Sequence, residues 1–86
     1  MLDIYVHPHA LKHGISEDRI RFAWSNFIRK QRRNVPRENE VVVVGSDQEG
    51  RWLQIVAVDR GSFMLVIHAM MPPSKKVLRE LGMVRR

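Results

Sequence analysis

Four consecutive valines, Val41–Val44, constrain the fold of this chain more than any other segment. Side chains that branch at Cβ favour an extended backbone, so this run predicts a buried β-strand. Two further apolar segments follow, Arg51–Val58 and Phe63–Ala69, and turn residues at Gly45–Gly50 and Asp59–Ser62 separate the three. Because turns this short join antiparallel strands, the sequence predicts a β-meander.

An amphipathic helix is predicted before these strands. Ser16 is a typical N-cap, and the two acids that follow it favour the positive end of a helix dipole. Apolar residues then recur at spacings of three and four, which indicates a helix over residues 17–27. These residues are Ile20, Ala23, Trp24, Phe27 and Ile28. Upstream, Pro8 and Gly14 bracket one or two additional helical turns.

The remaining segments complete an α+β fold. Residues 28–35 are basic, which is typical of an exposed edge strand and makes four strands in all. Ser74 predicts the cap of a last helix, Lys75–Leu81. We therefore expect N-terminal helices, a four-stranded antiparallel meander and a C-terminal helix, with the helices on one face of the sheet. The residues expected in or near one core are Ile20, Trp24, Phe27, Val42, Val44, Leu53, Ile55, Leu65 and Ile67.

Length and composition limit the possible classes of protein. Eighty-six residues are enough for one domain, which we assign to residues 1–86. The absence of cysteine excludes disulfide bonds and thiolate metal sites. No apolar run approaches the length of a membrane helix, and the N-terminus has an early acid and no basic start of a signal peptide. We therefore expect a cytoplasmic protein that does not enter a membrane.

The net charge of +6 favours an anionic partner, although surplus cations also serve solubility alone. Residues 27–37 hold five basic side chains and no acid, and residues 75–86 hold five against Glu80. Most of the acids lie between these two segments, which is more typical of a nucleic-acid footprint than of a uniform charged coat. The predicted RNA contacts are Arg29, Lys30, Arg32, Arg33, Arg37 and Arg79.

Histidine is the side chain best suited to proton transfer near neutral pH, and the chain has four. His68 ends an apolar strand, where strand alternation places it on the face of Met64 and Val66. A histidine held under a helix by hydrogen bonds to the backbone explains it slightly better than a catalytic role does. From the residues alone, His13, beside Gly14, fits a residue that caps helix carbonyls better than a catalytic one.

A metal site is not expected. His9 and His13 have the i, i+4 spacing of some zinc ligands, but Lys12 lies between them and no acid is near. Chelators should therefore change neither stability nor activity, and no cofactor is predicted. Among the aromatic residues, Trp24 falls on the apolar helix face and is expected in the core. Trp52 fits a core position and a base-stacking position equally well.

Two segments resemble the BrnT-type toxins of the RelE-like superfamily. Lys12-His13-Gly14-Ile15-Ser16 resembles the K-H-G-[IV]-S sequence that precedes their amphipathic helix. The stretch from Gly45-Ser46-Asp47 to Gly50-Arg51-Trp52-Leu53, and the hairpin ending in Val66-Ile67-His68-Ala69, resemble their sheet. The similarity covers roughly residues 7–81. It implies a ribonuclease of a type II toxin–antitoxin pair, inhibited by an antitoxin with a ribbon-helix-helix DNA-binding part that represses its own promoter.

The chain also departs from this family. The toxins commonly end their last strand with Ser-Ala-Arg, whereas this chain has His68-Ala69-Met70, so an arginine for the scissile phosphate is missing at Met70. If the chain cleaves RNA, we expect His13 or His68 to transfer the proton. We expect Lys12 and Arg32 to stabilise the negative charge of the transition state, and Arg79 is the next candidate for this role. The alternatives are a non-catalytic RNA- or protein-binding module on the same scaffold, and a structural domain of a larger complex.

Overall fold

The computed structural model describes residues 3–83, and a five-stranded sheet forms its centre. The strands are β1 (Asp3–Val6), β2 (Phe27–Arg32), β3 (Glu40–Ser46), β4 (Trp52–Asp59) and β5 (Phe63–Met70). Their order across the sheet is β1-β5-β4-β3-β2. Strands β2 to β5 form the predicted antiparallel meander, with the basic strand β2 at one edge.

The opposite edge corrects the predicted four-stranded antiparallel sheet. Strand β1 pairs with β5 in parallel, from Asp3 opposite Phe63 to Val6 opposite Val66, so the sheet is mixed. Parallel neighbours need a long crossover connection, and here residues 7–62, with every other helix and strand except α2, lie between the two strands. No local turn signal can predict such a pairing.

Two helices and a 3₁₀ turn accompany the sheet. The first predicted helical segment is only a 3₁₀ turn, Pro8–Leu11, and helix α1 spans Glu17–Ser25. Helix α1 ends before residue 27 because Phe27 and the residues after it join β2. Helix α2 spans Lys75–Glu80. Both predicted caps are present, since the hydroxyl groups of Ser16 and Ser74 each accept a hydrogen bond from the backbone N–H three residues later.

The helices cover both faces of the sheet, so there are two cores instead of the one predicted. The α1-side core consists of Ala10, Ile15, Ile20, Ala23, Val41, Val43, Leu53, Ile55, Ala57, Met64, Val66 and Ala69, with Trp24 packed against it. The α2-side core consists of Val42, Val44, Val56, Val77 and Leu81, with Ile67, Leu78 and Met83 packed against it. Val42, Val44 and Ile67 thus face away from α1, because successive strand residues point to opposite faces. Phe27 is 47 % exposed.

A buried carboxylate organises the turn between β3 and β4. Oδ1 of Asp47 accepts hydrogen bonds from the backbone N–H groups of Glu49 and Arg51, at 2.9 and 2.8 Å. Oδ2 lies 3.5 Å from Nε of Arg19 on α1 and 3.3 Å from Nε of Arg51. Burial alone would raise the pKa of Asp47, but these hydrogen bonds and the two guanidinium charges outweigh it and lower that pKa. The turn is thereby tied to α1.

Helix α1 lies very close to β3 at Gly45. A Cβ atom at this position would lie 1.9 Å from the backbone oxygen of Ala23, far inside van der Waals contact. Only glycine therefore allows the helix to pack at this distance. Within residues 3–83, neither helix has the length and apolar character that a membrane crossing requires.

We expect Gly45→Ala to destabilise the fold strongly. The added methyl group must displace the backbone of α1 or β3, which should cost about 3 kcal/mol of the free energy of unfolding in a urea titration. Gly61→Ala is the matched control: its φ of 85° is also unfavourable for alanine, but the added Cβ meets no atom within 4 Å. That variant should lose only about 1 kcal/mol. Equal losses in the two variants would contradict the close approach.

Candidate functional site

An irregularity in β5 places His68 on the α2 side of the sheet. His68 lies opposite Val56, and Val66 lies opposite the next residue of β4, so Ile67 is an extra residue in β5. A bulge of this kind shifts the alternation of side chains. The predicted common face of His68 with Met64 and Val66 is therefore wrong: those two pack in the α1-side core, whereas His68 contacts Gln54.

Gln54 connects His68 to the start of α2. Its Nε2 lies 2.8 Å from Nε2 of His68, and its Oε1 accepts a hydrogen bond of 2.8 Å from the backbone N–H of Ser74. Gln54 is only 6 % exposed and lies opposite Val44, a residue of the α2-side core. Its amide is thus a buried polar group with partners at both ends, which is the usual requirement for burying an amide.

His13 lies next to His68, although the two are far apart in sequence. Their ring centroids are 5.8 Å apart, with an angle of 80° between the ring planes. The 3₁₀ turn before His13 runs beside β5, where the backbone N–H of His7 donates to the carbonyl of Val66 at 2.9 Å. His13 is exposed to solvent, whereas His68 is half-buried.

The surroundings of His68 disfavour its charged form. Burial lowers the pKa of His68 most, and the positive charges of His13, Lys12, Arg33 and His9 lower it further. Both effects favour the neutral imidazole over the charged form. We refer to His13, His68, Gln54 and Lys12 together as the histidine site.

Arg32, the fourth predicted catalytic residue, does not belong to the histidine site. It is on the edge strand β2, three strands from β5, opposite a residue of the α1-side core, Val41. Its guanidinium group donates to the carbonyl of Glu38 and to Oδ2 of Asp59, each at 2.8 Å. Arg32 is therefore too far across the sheet to act with the two histidines, and its charge is already paired with Asp59.

Arg33, unlike Arg32, is among the charges that lower the pKa of His68. Its guanidinium group binds Glu40 at 2.6 Å and Glu80 of α2 at 2.9 Å. The hydrogen bond to Glu80 raises the pKa of Arg33 most, against a smaller opposing effect of burial. Arg33 thus joins the edge of the sheet to α2 and is held as a cation.

The predicted RNA-contacting residues are divided between the two faces of the sheet. Arg29 lies opposite Val44 on the α2 side, and Lys30 lies opposite Val43 on the α1 side. The Nζ atom of Lys30 is 4.6 Å from the ring centroid of Phe27 and 5.7 Å from that of Trp24. Arg37 is exposed in the loop after β2, and Arg79 is exposed on α2. The last two cations of the basic segment 75–86, Arg85 and Arg86, lie outside the described residues.

The two histidines with metal-ligand spacing do not share a helix. His9 is in the 3₁₀ turn, which ends at Leu11, and its backbone N–H donates to Nδ1 of His7 at 3.0 Å. Residues 3–83 contain no group of three or more histidine and carboxylate side chains placed to hold a metal ion. Trp52, at the start of β4, is 43 % exposed, which leaves its indole accessible for stacking.

Sequence reasoning missed Gln54, the residue that contacts His68. Its position in the sequence could have identified it, because Gln54 is the one amide side chain in the apolar strand Trp52–Asp59. A polar side chain buried in such a strand needs a specific hydrogen-bond partner. Comparison with known proteins adds no assignment: no protein-family model, curated protein or solved structure matches this chain.

We expect Arg33→Ala to lower the free energy of unfolding by about 2 kcal/mol, because Glu40 and Glu80 both lose a partly buried cationic partner. Arg29→Ala removes the same side chain four residues earlier, where it is exposed and forms no ion pair within residues 3–83. This control should stay within about 0.5 kcal/mol of wild type in urea titrations. A larger loss in Arg29→Ala than in Arg33→Ala would refute the assignment.

Proposed function

We propose that this chain is a toxin-like, metal-independent endoribonuclease that a cognate antitoxin holds inactive. The observation that carries the proposal is the approach of His13 to His68, with ring centroids 5.8 Å apart. Two imidazoles at this distance can contact one phosphodiester group. The resemblance to BrnT-type toxins includes the segments that contain both histidines, and it supplies the substrate class and the antitoxin of ribbon-helix-helix type.

The proposed reaction uses the 2′-hydroxyl group of the RNA as the nucleophile. The 2′-oxygen forms a bond to phosphorus while its proton passes to a base, and the bond from phosphorus to the 5′-oxygen breaks. The leaving oxygen takes a proton from an acid, so the products are a 2′,3′-cyclic phosphate and a 5′-hydroxyl. We assign the base to one of the two histidines, since imidazole accepts protons near neutral pH.

Lys12 is the proposed source of positive charge for the transition state. It directly precedes His13, and its charge is among those that lower the pKa of His68. An ammonium group there can stabilise the negative charge on the phosphorane oxygens and donate the proton to the leaving oxygen. This role matters because Met70, where the toxins have an arginine, lies opposite Gln54 and offers no charge.

A second candidate is a non-catalytic RNA- or protein-binding module on the same scaffold. It is favoured by Met70, which offers no charge, and by the ion pairs of Arg33 with Glu40 and Glu80, which already engage that guanidinium group. A binding module needs no base, so His13 would then be dispensable. The genomic neighbourhood also separates the candidates, since a toxin should have an adjacent small gene for a DNA-binding antitoxin.

We expect His13→Ala to slow cleavage of an RNA oligonucleotide by at least about 100-fold, the usual contribution of one general acid or base. His7→Ala is the control, because it removes an exposed imidazole whose ring neighbour is His9 and not His68. His7→Ala should cleave at nearly the wild-type rate. Cleavage should also persist with a chelator, and it should stop when the scissile nucleotide lacks its 2′-hydroxyl group.

Thermal melts followed by circular dichroism must accompany these assays, so that loss of activity is not confused with unfolding. A folded His13→Ala variant with wild-type activity would show that the base is elsewhere. If the wild-type chain neither cleaves RNA nor arrests growth on induction, the ribonuclease proposal fails and the binding module takes its place.

The faces of the sheet lead to a prediction for RNA binding. The histidine site lies on the α2 side, as does Arg29, whereas Lys30 points to the α1 side. Arg29→Ala should therefore reduce the slope of log affinity against log salt concentration by about one phosphate contact, and Lys30→Ala should not. Fluorescence anisotropy with antitoxin-free protein measures both. Equal slopes in wild type and Arg29→Ala would exclude a phosphate contact at Arg29.

A further inference from the structure

The hydrogen bonds around Gln54 determine which nitrogen of His68 carries the proton. The backbone N–H of Ser74 can only donate, so the amide atom that it meets at 2.8 Å must be the oxygen. The NH₂ group of Gln54 then points at His68, with 2.8 Å between the two Nε2 atoms. Since an amide NH₂ group donates, Nε2 of His68 must accept, and the ring proton is on Nδ1.

We infer that Gln54 is a positioning residue that holds His68 as a neutral imidazole protonated at Nδ1. In this state His68 can donate a hydrogen bond to a bound anion, but it cannot accept a proton, because its one ring lone pair is engaged by Gln54. The consequence for RNA cleavage rests on the proposed function. There, His13 is the imidazole that accepts the 2′-hydroxyl proton, and His68 donates to an oxygen of the phosphate.

The amide of Gln54 has little freedom to change this arrangement. It is buried between β4 and the start of α2. A rotation that exchanged its two ends would place the NH₂ group against the N–H of Ser74 and leave both donors without an acceptor. The hydrogen bond to Ser74 thus fixes the orientation of the amide, and the amide fixes the tautomer of His68.

The charges around His68 act in the same direction. His9, Lys12 and His13 approach it from the 3₁₀ turn and the residues after that turn, and Arg33 approaches it from the end of β2. All four are basic, and α2 contributes the uncharged amide contact through Ser74. An imidazolium at His68 would add a like charge and direct an N–H at the NH₂ group of Gln54, so burial, charge and hydrogen bonding all oppose protonation.

The test is the isosteric variant Gln54→Glu, with ring nitrogens observed by NMR in the full chain labelled with ¹⁵N-histidine. In wild type at pH 7, Nδ1 of His68 should have the shift of a protonated nitrogen and Nε2 that of an unprotonated one. The titration midpoint should lie below the ordinary value of about 6.5. In Gln54→Glu, one carboxylate oxygen still accepts from Ser74 and the other accepts from His68, so the proton should move to Nε2 and the midpoint should rise above about 6.5.

Gln48→Glu is the matched control, because it adds the same charge in the exposed turn between β3 and β4 and should leave His68 as in wild type. A proton on Nε2 in wild type at pH 7 would overturn the inference, and so would an unchanged midpoint in a folded Gln54→Glu variant. The wild-type spectrum decides the tautomer even if that variant does not fold. If the spectra agree with the inference but the wild type does not cleave RNA, only the ribonuclease proposal fails.

Discussion

Burial of both faces of β3 is the constraint on which the rest of the structure depends. Val41 and Val43 pack in the α1-side core, and Val42 and Val44 pack in the α2-side core. Full burial of each side chain contributes about 1.5–3 kcal/mol relative to exposure, so one short strand stabilises both layers at once. Helix α2 depends on this support, because a helix of six residues is not stable by itself in water.

Polar contacts at both ends of α2 complement its apolar packing. At the start, Ser74 donates to Gln54 through its backbone and caps the helix through its hydroxyl group. At the end, Glu80 binds Arg33, which follows the edge strand. Since Gln54 also contacts His68, the attachment of α2 and the orientation of the histidine site share one hydrogen-bonded amide. A change that loosens α2 should therefore also disturb His68.

Local signals predicted local structure, and the errors concern contacts between distant residues. The valine run, the turn residues and the serine caps predicted the meander and both helices to within a few residues, because these preferences act over one or two turns of chain. The parallel pairing of β1 with β5 has no local signature. The second core was missed for a related reason. Helix α2 has only six residues, too few for an apolar pattern that would predict which face of the sheet it covers.

The candidate site was predictable in its residue types but not in its arrangement. His13, His68 and Lys12 were selected because their chemistry suits proton transfer and anion binding, and the structure brings these three together. Arg32 was selected on the same grounds, yet an ion pair with Asp59 and three strands of distance separate it from them. Charge counts along a sequence do not reveal which cations are already paired within the fold.

The extra residue at Ile67 decides what His68 can do. With regular alternation from Val66, the imidazole would enter the α1-side core, where Met64, Val66 and their neighbours are apolar and offer it no partner. Burial there without a hydrogen bond would cost about 1–3 kcal/mol. The bulge instead places His68 beside Gln54 and next to His13, while Ala69 returns to the α1-side core. One inserted residue thus keeps the apolar packing of β5 and also places a titratable ring beside a second imidazole, that of His13.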